Sequence, residues 1–184
     1  IDALIAKKQR LLDLAHARFA DRVDRTTGQG GPARVRHLTS LRTSGPRGWA
    51  ERTVPDGKPF LRSANLRSAS LSLRLENLEY VDPPNTPEAT RSRVLRGDVL
   101  VGITGANTGW VGVVPEEVEG GFVSQHVAIL RPSSVDPLWL AYSIASGAGR
   151  GQLLGGQYGG TKQQLGLGDL GDLTIRVPPA GDQV

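Results

Sequence analysis

The 184-residue sequence contains no cysteine and no methionine, three histidines, and only 5% aromatic residues. Without thiols there is no disulfide framework, no thiolate zinc site and no cysteine nucleophile, and a cytoplasmic location is the expectation. No apolar run reaches the roughly 18 residues that a membrane-spanning helix needs, so no membrane partner is expected. No secretory leader pattern is visible. A chain that lacks Met even at position 1 and opens inside what reads as a helix is expected to be a piece of a longer protein.

Catalytic and cofactor signatures are missing too. His16, His37 and His126 show no metal-ligand spacing, which leaves no metal expected. Gly155 to Lys162 reads GGQYGGTK, but a phosphate-cradling P-loop needs Lys followed by Ser or Thr, and here Thr161 precedes Lys162 and Gln163 follows it. The glycines at 147, 149 and 151 do not follow a strand in a βαβ unit, so they are no dinucleotide fingerprint. No Gly-x-Ser-x-Gly elbow occurs. Glu116, Glu117 and Glu119 cluster in a turn, where carboxylates usually serve solubility. The expectation is a non-enzyme without a cofactor.

What the chain does have is turn residues and one-sided charge. Its 24 Gly and 12 Pro indicate many turns rather than long helices. The net charge of +4 hides an asymmetry. Residues 1–96 carry 18 Lys and Arg against 10 Asp and Glu, or +8, and residues 97–184 carry 4 against 8, or −4. Within 33–75 the count is 9 against 2, and eight of the nine are Arg. Arg suits bidentate contacts with phosphate and guanine. A nucleic-acid partner is the leading reading; a solvated basic face is the bland one.

The stretch from Arg96 to Leu130 organises the rest. Val99, Leu100, Val101 and Ile103 read as one strand, Val111, Val113 and Val114 as a second stopped by Pro115, and Phe122 to Leu130 as a third. Between the first two lies Thr104-Gly105-Ala106-Asn107-Thr108-Gly109, a small polar loop on an apolar support, as a recognition surface requires. Arg34 to Ser40 alternates as a strand would, Thr43 to Trp49 is a tight loop, and Pro59 to Leu66 reads as a strand ending in a polar tip. Residues 82–96, with Pro83, Pro84 and Pro87, read as connection. Asp136 to Gly147 reads as a short helix capped by Asp136, with Pro137 at its first position. Gly147 to Gly160 reads as mobile, with a brief helical turn around Gln152 to Leu154, and Leu173 to Val177 as a last strand.

Residues 1–25 read as one amphipathic helix, with Ile1, Leu4, Ile5, Leu12, Ala15 and Phe19 at helical spacing. About 25 residues span roughly 37 Å, more than a small domain covers, so this stripe needs a partner helix from the same full-length chain or a second copy. His16 within it is most simply structural.

Several stretches together resemble one family, the specificity subunit of type I restriction–modification systems. IDALIAKKQRLLDL resembles the distal part of that family's conserved spacer helix. TSGPRGWAE, FLRSANL, RVLRGDVLVGITGANTGWVGVVPE, FVSQHVAILRP, DPLWLAYSIASGAG and GGTKQQLGLGDLGDLTIRVPPAGDQV resemble, in order, a target-recognition domain and the start of the next conserved region. PPAGDQV departs from the usual Pro-Pro-Leu-Ala-Glu-Gln. The resemblance implies an α+β fold: a long N-terminal spacer helix (1–27), then a β-rich target-recognition domain with short helices (28–177), then the start of a further helical region (178–184). It also implies a non-catalytic subunit that reads one half of a bipartite site in double-stranded DNA. Expected partners are methyltransferase subunits and, through them, a restriction and translocase subunit.

Side-chain chemistry at loop tips nominates base-contacting residues: Ser44, Arg47, Trp49, Arg62, Asn65, Thr104, Asn107, Thr108, Gln125, His126, Thr161, Lys162 and Gln163. Arg47 or Arg62 suits guanine, and Asn65, Asn107 or Gln125 suits adenine. Arg34, Arg36, Arg42 and Arg52 suit phosphates, which position without specifying. For Trp49 the competing role is packing on the core, for Gln125 and His126 a satisfied place in the sheet, and for Thr104 a turn cap. The main rival to DNA reading is a protein-interaction module with an incidental basic face; a nuclease-like fragment lacks the carboxylates it would need.

Overall fold

The computed structural model describes residues 7, 10, 14, 30–155 and 164–183. Of the expected N-terminal helix only Lys7, Arg10 and Leu14 are described; all three are helical and exposed. The interface residues Ile1, Leu4, Ile5, Leu12, Ala15 and Phe19 lie outside the described residues, as does the rest of that helix.

Mixed helix and sheet follow. In chain order the elements are β1 (Gly31–Arg34), α1 (Val35–Leu38), β2 (Thr39–Ser44), β3 (Thr53–Val54), β4 (Lys58–Leu61), β5 (Glu79–Val81), α2 (Pro87–Ser92), β6 (Val99–Gly102) and β7 (Val111–Val113). Then come β8 (Phe122–Val123), β9 (Val127–Pro132), α3 (Pro137–Ala145), α4 (Gly147–Gly155), α5 (Leu167–Asp172) and β10 (Thr174–Val177). The main sheet has the order β2-β9-β6-β7, all antiparallel, a second sheet has the order β3-β5-β4-β8, and β1 pairs with β10 as a ribbon.

The organising stretch supplies the centre of the main sheet, and its alternation sorts side chains onto two cores. Val99, Val101, Ala128 and Leu130 face one core with Trp139, Leu140 and Ile144 of α3, Leu153 of α4 and Leu170 of α5. Leu100, Val127 and Ile129 face the other, with Leu61, Leu66, Leu73 and Val123. Cross-strand partners Val99 and Leu130, and Leu100 and Ile129, keep this division in register. A sheet buried on both faces explains why these strands read as nearly continuous apolar runs.

Five local readings need correction. Phe122–Leu130 is two strands in two sheets: β8 pairs in parallel with β4, and the chain crosses at Ser124–His126 to enter β9. The polar interruption is where it changes sheets. Arg34–Ser40 contains a helical turn, because Val35 and Leu38, three apart, both bury. Pro59–Leu66 is strand only to Leu61, after which Ser63–Asn65 forms a 3-10 turn. Residues 82–96 contain α2, whose Thr86 side chain accepts from Ala89 N at 3.2 Å with Pro87 in the first turn. Gly147–Gly155 is a full helix, with Leu153 in the core and the Gln152 amide bonded both ways to the Thr174 backbone at 2.9 Å. Residues 156–160 of the stretch read as mobile lie outside the described residues.

The α3 reading stands: Asp136 Oδ1 accepts from Leu138 N and Trp139 N at 2.8 and 2.9 Å. Behind it, the buried Gln183 accepts from Asp136 N at 2.8 Å and donates to Pro178 O at 2.9 Å, fastening residues 178–183 to the domain. The two larger sheets touch closely at Gly45, where a Cβ would lie 1.8 Å from Val123 O. No described helix is long and apolar enough to cross a membrane.

Candidate nucleic-acid interface

Antiparallel order places the end of β2, the start of β9, the end of β6 and the start of β7 at one end of the main sheet. Three loops distant in sequence meet there. The β6–β7 loop turns through Gly105 and Gly109, at φ 79° and 78°, a left-handed conformation that favours glycine. Asn107 Nδ2 donates to Ser63 O at 2.7 Å, tying this loop to the turn after β4. Thr104 Oγ1 contacts His126 Nδ1, and Gln125 Nε2 lies 3.1 Å from His126 Nε2, tying it to the β8–β9 turn. Backbone bonds fix the same junctions: Ile103 N donates to His126 O at 3.0 Å and Ser124 N to Leu61 O at 2.9 Å.

The nominated residues divide sharply. Arg62, Thr104, Asn107, Gln125 and His126 stand together at this end, exposed or half-buried. Ser44 is nearby, paired with Ala128 at the last position of β2. Arg47 is exposed in the following loop and forms no ion pair among the described residues. Arg62 is held by Glu79 in an exposed pair. Gln164, which the sequence reading did not nominate, forms a bridge with Thr104, and Leu165 N donates to Ile103 O at 2.9 Å. Thr161, Lys162 and Gln163 lie outside the described residues.

Four nominees have structural employment instead. Asn65 is buried, its Oδ1 accepting from Arg62 N and its Nδ2 donating to Arg74 O, both at 2.8 Å. Trp49 is buried with its ring centroid 5.4 Å from that of Phe122. Thr108 is buried and donates to Gly105 O at 2.7 Å, closing its own loop. Arg42 donates to Arg36 O at 3.0 Å and to Thr39 Oγ1 at 3.1 Å, clamping the turn between α1 and β2. In each case the side chain finds a partner within the fold, which composition cannot distinguish from an outward role.

The proposed phosphate group also separates. Arg34 and Arg36 converge on Asp172, before the start of β2, a strand of six residues or about 20 Å from the loop end. Arg52 is exposed beside β3 of the second sheet. A missed cation, Arg67, sits half-buried against Glu76 at 3.1 Å. Backbone hydrogen bonding, together with Arg67 and Arg74, holds the Glu76 carboxyl below its ordinary value. Among the described residues no group of three acidic or histidine side chains is arranged to hold a metal.

No family model matches the sequence, and neither does any curated protein. Solved structures do. One is a chain of the structure reported as "Structural basis underlying complex assembly and conformational transition of the type I R-M system", with TM-score 0.63 and 17% identity over 99% of this chain and 46% of that one. Another is the HsdS subunit from Thermoanaerobacter tengcongensis, with TM-score 0.59 and 16% identity over 98% of this chain and 44% of that one. The chain has the fold of a type I restriction–modification S subunit. It spans less than half the length of these solved chains.

Proposed function

We propose that this chain is a sequence-reading DNA module that recognises one half of a bipartite double-stranded site and itself carries no catalytic group. One observation carries the reading: the turn after β4, the β6–β7 loop and the β8–β9 turn are hydrogen-bonded into a single polar surface at one end of a rigid sheet. Its outward groups are mostly amides, hydroxyls and an imidazole, which read base edges, with Arg47 and Arg62 beside them. The S-subunit fold supports the same role. Methyltransferase subunits, and through them a restriction and translocase subunit, are the partners this role implies, in the cytoplasm where such complexes meet DNA. A helix at residues 1–27 pairing with a second spacer helix would set the distance between half-sites.

Within the surface, Arg47 and Arg62 are assigned to guanine and Asn107 to adenine; outside it, beside β3, Arg52 is assigned to phosphate. Selection from random-sequence duplexes tests the function, using the full chain with its methyltransferase partner at moderate salt, which suppresses sequence-independent binding. Enrichment of one short asymmetric motif is expected. An unenriched pool from an intact complex would overturn the reading in favour of a protein-interaction module. Arg47→Ala is expected to relax one guanine position; uniform weakening with a flatter salt slope would make Arg47 a phosphate contact instead.

A further inference from the structure

The side chains around the β8–β9 turn form a hydrogen-bond chain with one self-consistent proton arrangement. Gln125 Nε2 faces His126 Nε2 at 3.1 Å, and His126 Nδ1 faces Thr104 Oγ1. An amide nitrogen only donates, so His126 Nε2 must accept. The neutral ring then carries its proton on Nδ1 and gives it to the Thr104 hydroxyl oxygen. The backbone holds both ends of this relay: His126 O accepts from Ile103 N at 3.0 Å, and Val127 N donates to Ser124 O at 3.0 Å. With one N–H committed to His126, the half-buried Gln125 amide keeps its second N–H and its Oε1 for another partner. A donor beside an acceptor on one plane is the complement of N7 and the N6 amino group of adenine.

We propose that Gln125 reads an adenine in the major groove and that His126, held by Thr104, is the positioning residue that fixes which way the Gln125 amide points. The assignment rests on the DNA-reading role above and deepens it. It carries a consequence that a merely structural histidine would not. Protonated, His126 donates from both nitrogens, and its Nε2 can no longer accept from Gln125. The amide must turn so that Oε1 accepts from His126, which exchanges the outward places of its donor and acceptor and frees both N–H groups. The freed N–H pair suits N7 and O6 of guanine, and the donor–acceptor order that matched adenine is lost. The Thr104 contact survives either way, because Nδ1 donates in both states.

Few other ionisable side chains adjoin the turn. Residues 103–110, β8, residues 127–130 of β9, Gln164 and Leu165 carry no ionisable side chain. The charged groups on adjoining elements are Arg47 after β2 and Arg62 after β4, the latter paired with Glu79. Among the described residues no ion pair involves His126.

The test is motif selection with the full chain at about pH 8 and about pH 5.5. Wild type, Gln125→Glu and His126→Gln are compared. Wild type at the higher pH is expected to prefer adenine over guanine at one position by about ten- to a hundredfold, the discrimination of a good bidentate pair. At the lower pH that preference falls by about tenfold, with guanine rising and other positions unchanged. Gln125→Glu, an acceptor only, moves the same position to cytosine. His126→Gln offers Oε1 as an acceptor that does not titrate, so adenine is kept and the pH response lost. A motif in which no position responds to Gln125→Glu, or whose adenine position ignores pH, overturns the assignment while leaving the DNA-reading role intact. No motif at all from wild type overturns both.

Discussion

The two ends of the main sheet use polar residues in opposite ways. At the far end Arg131 donates from Nε and Nη2 to both carboxylate oxygens of Asp98, at 2.9 and 2.8 Å, and Asp98 is 1% exposed. Asp98 also accepts from Leu95 N at 2.8 Å, and Arg131 donates to Arg93 O at 3.0 Å. The bond to Asp98 raises the Arg131 pKa above its ordinary value despite partial burial. Asp98 and Arg131 thus spend their charges on each other and on the backbone beside them. At the loop end the three loops are tied to one another by neutral hydrogen bonds, with the exposed Arg62–Glu79 pair beside them. The difference teaches where the chain buries its charge: a buried ion pair fastens the strands at one end, while the loops at the other are joined by uncharged, directional hydrogen bonds.

That division can be broken experimentally, most severely at the ionic end. Arg131→Met leaves the Asp98 carboxylate buried without its partner and should cost about 3–5 kcal/mol in urea unfolding. The selected DNA motif should be unchanged wherever the variant stays folded. A cost below about 1 kcal/mol would mean the pair behaves as an exposed one and the comparison fails. Asn65→Ala removes a buried amide used at both ends and should cost about 1–3 kcal/mol. Because Asn65 shapes the turn that receives Asn107, this variant should also weaken DNA binding, unlike Arg131→Met.

Tyr142 sharpens the account of the helical side. Burial pushes its hydroxyl up to about 12 from an ordinary value of 10.0. The fold therefore favours the neutral phenol: that contribution is fully present below about pH 10 and is lost as pH rises toward about 12. Alkaline unfolding monitored across this window should flatten in Tyr142→Phe. An unchanged alkaline limb would place the phenol in water.

The smallest effects belong to the basic ribbon. Arg34→Ala and Arg36→Ala remove exposed contacts with Asp172 and should each change stability by less than about 1 kcal/mol. Lying a strand length from the loops, they should leave the salt dependence of DNA binding unchanged. A slope reduced by about one per substitution would restore them as phosphate contacts and extend the interface to the far end.

The sequence shows the scaffold better than the surface. The runs at Val99–Ile103 and Val111–Val114 declare buried strands because a doubly covered sheet needs apolar residues on both faces. Asp136-Pro137 declares a helix start because cap chemistry is local. Thr86-Pro87 carries the same local signal and is legible once the surrounding prolines are not read as a loop. What local chemistry cannot show is the choice of partner. Ser124 looks like an interruption inside one strand, yet its N–H goes to Leu61 O, far earlier in the chain, and so the segment divides between two sheets. Gly147–Gly155 has little helix propensity and is helical through Leu153 in the core and Gln152 on the Thr174 backbone. The site divides likewise: Asn65 and Asn107 are alike in sequence, but one has both amide groups taken by the backbone of Arg62 and Arg74 and the other reaches across to Ser63 with its oxygen spare.

Hydrogen exchange of the full chain with and without its selected duplex tests the central claim most directly, because it reports both ends of the sheet in one experiment. Binding through the loop end predicts slowed exchange at residues 62–65, 104–109 and 124–126, with residues 93–98 and 131–136 unchanged. Protection centred on the Arg131–Asp98 end, with the three loops unaffected, would contradict the assignment of the DNA-reading face.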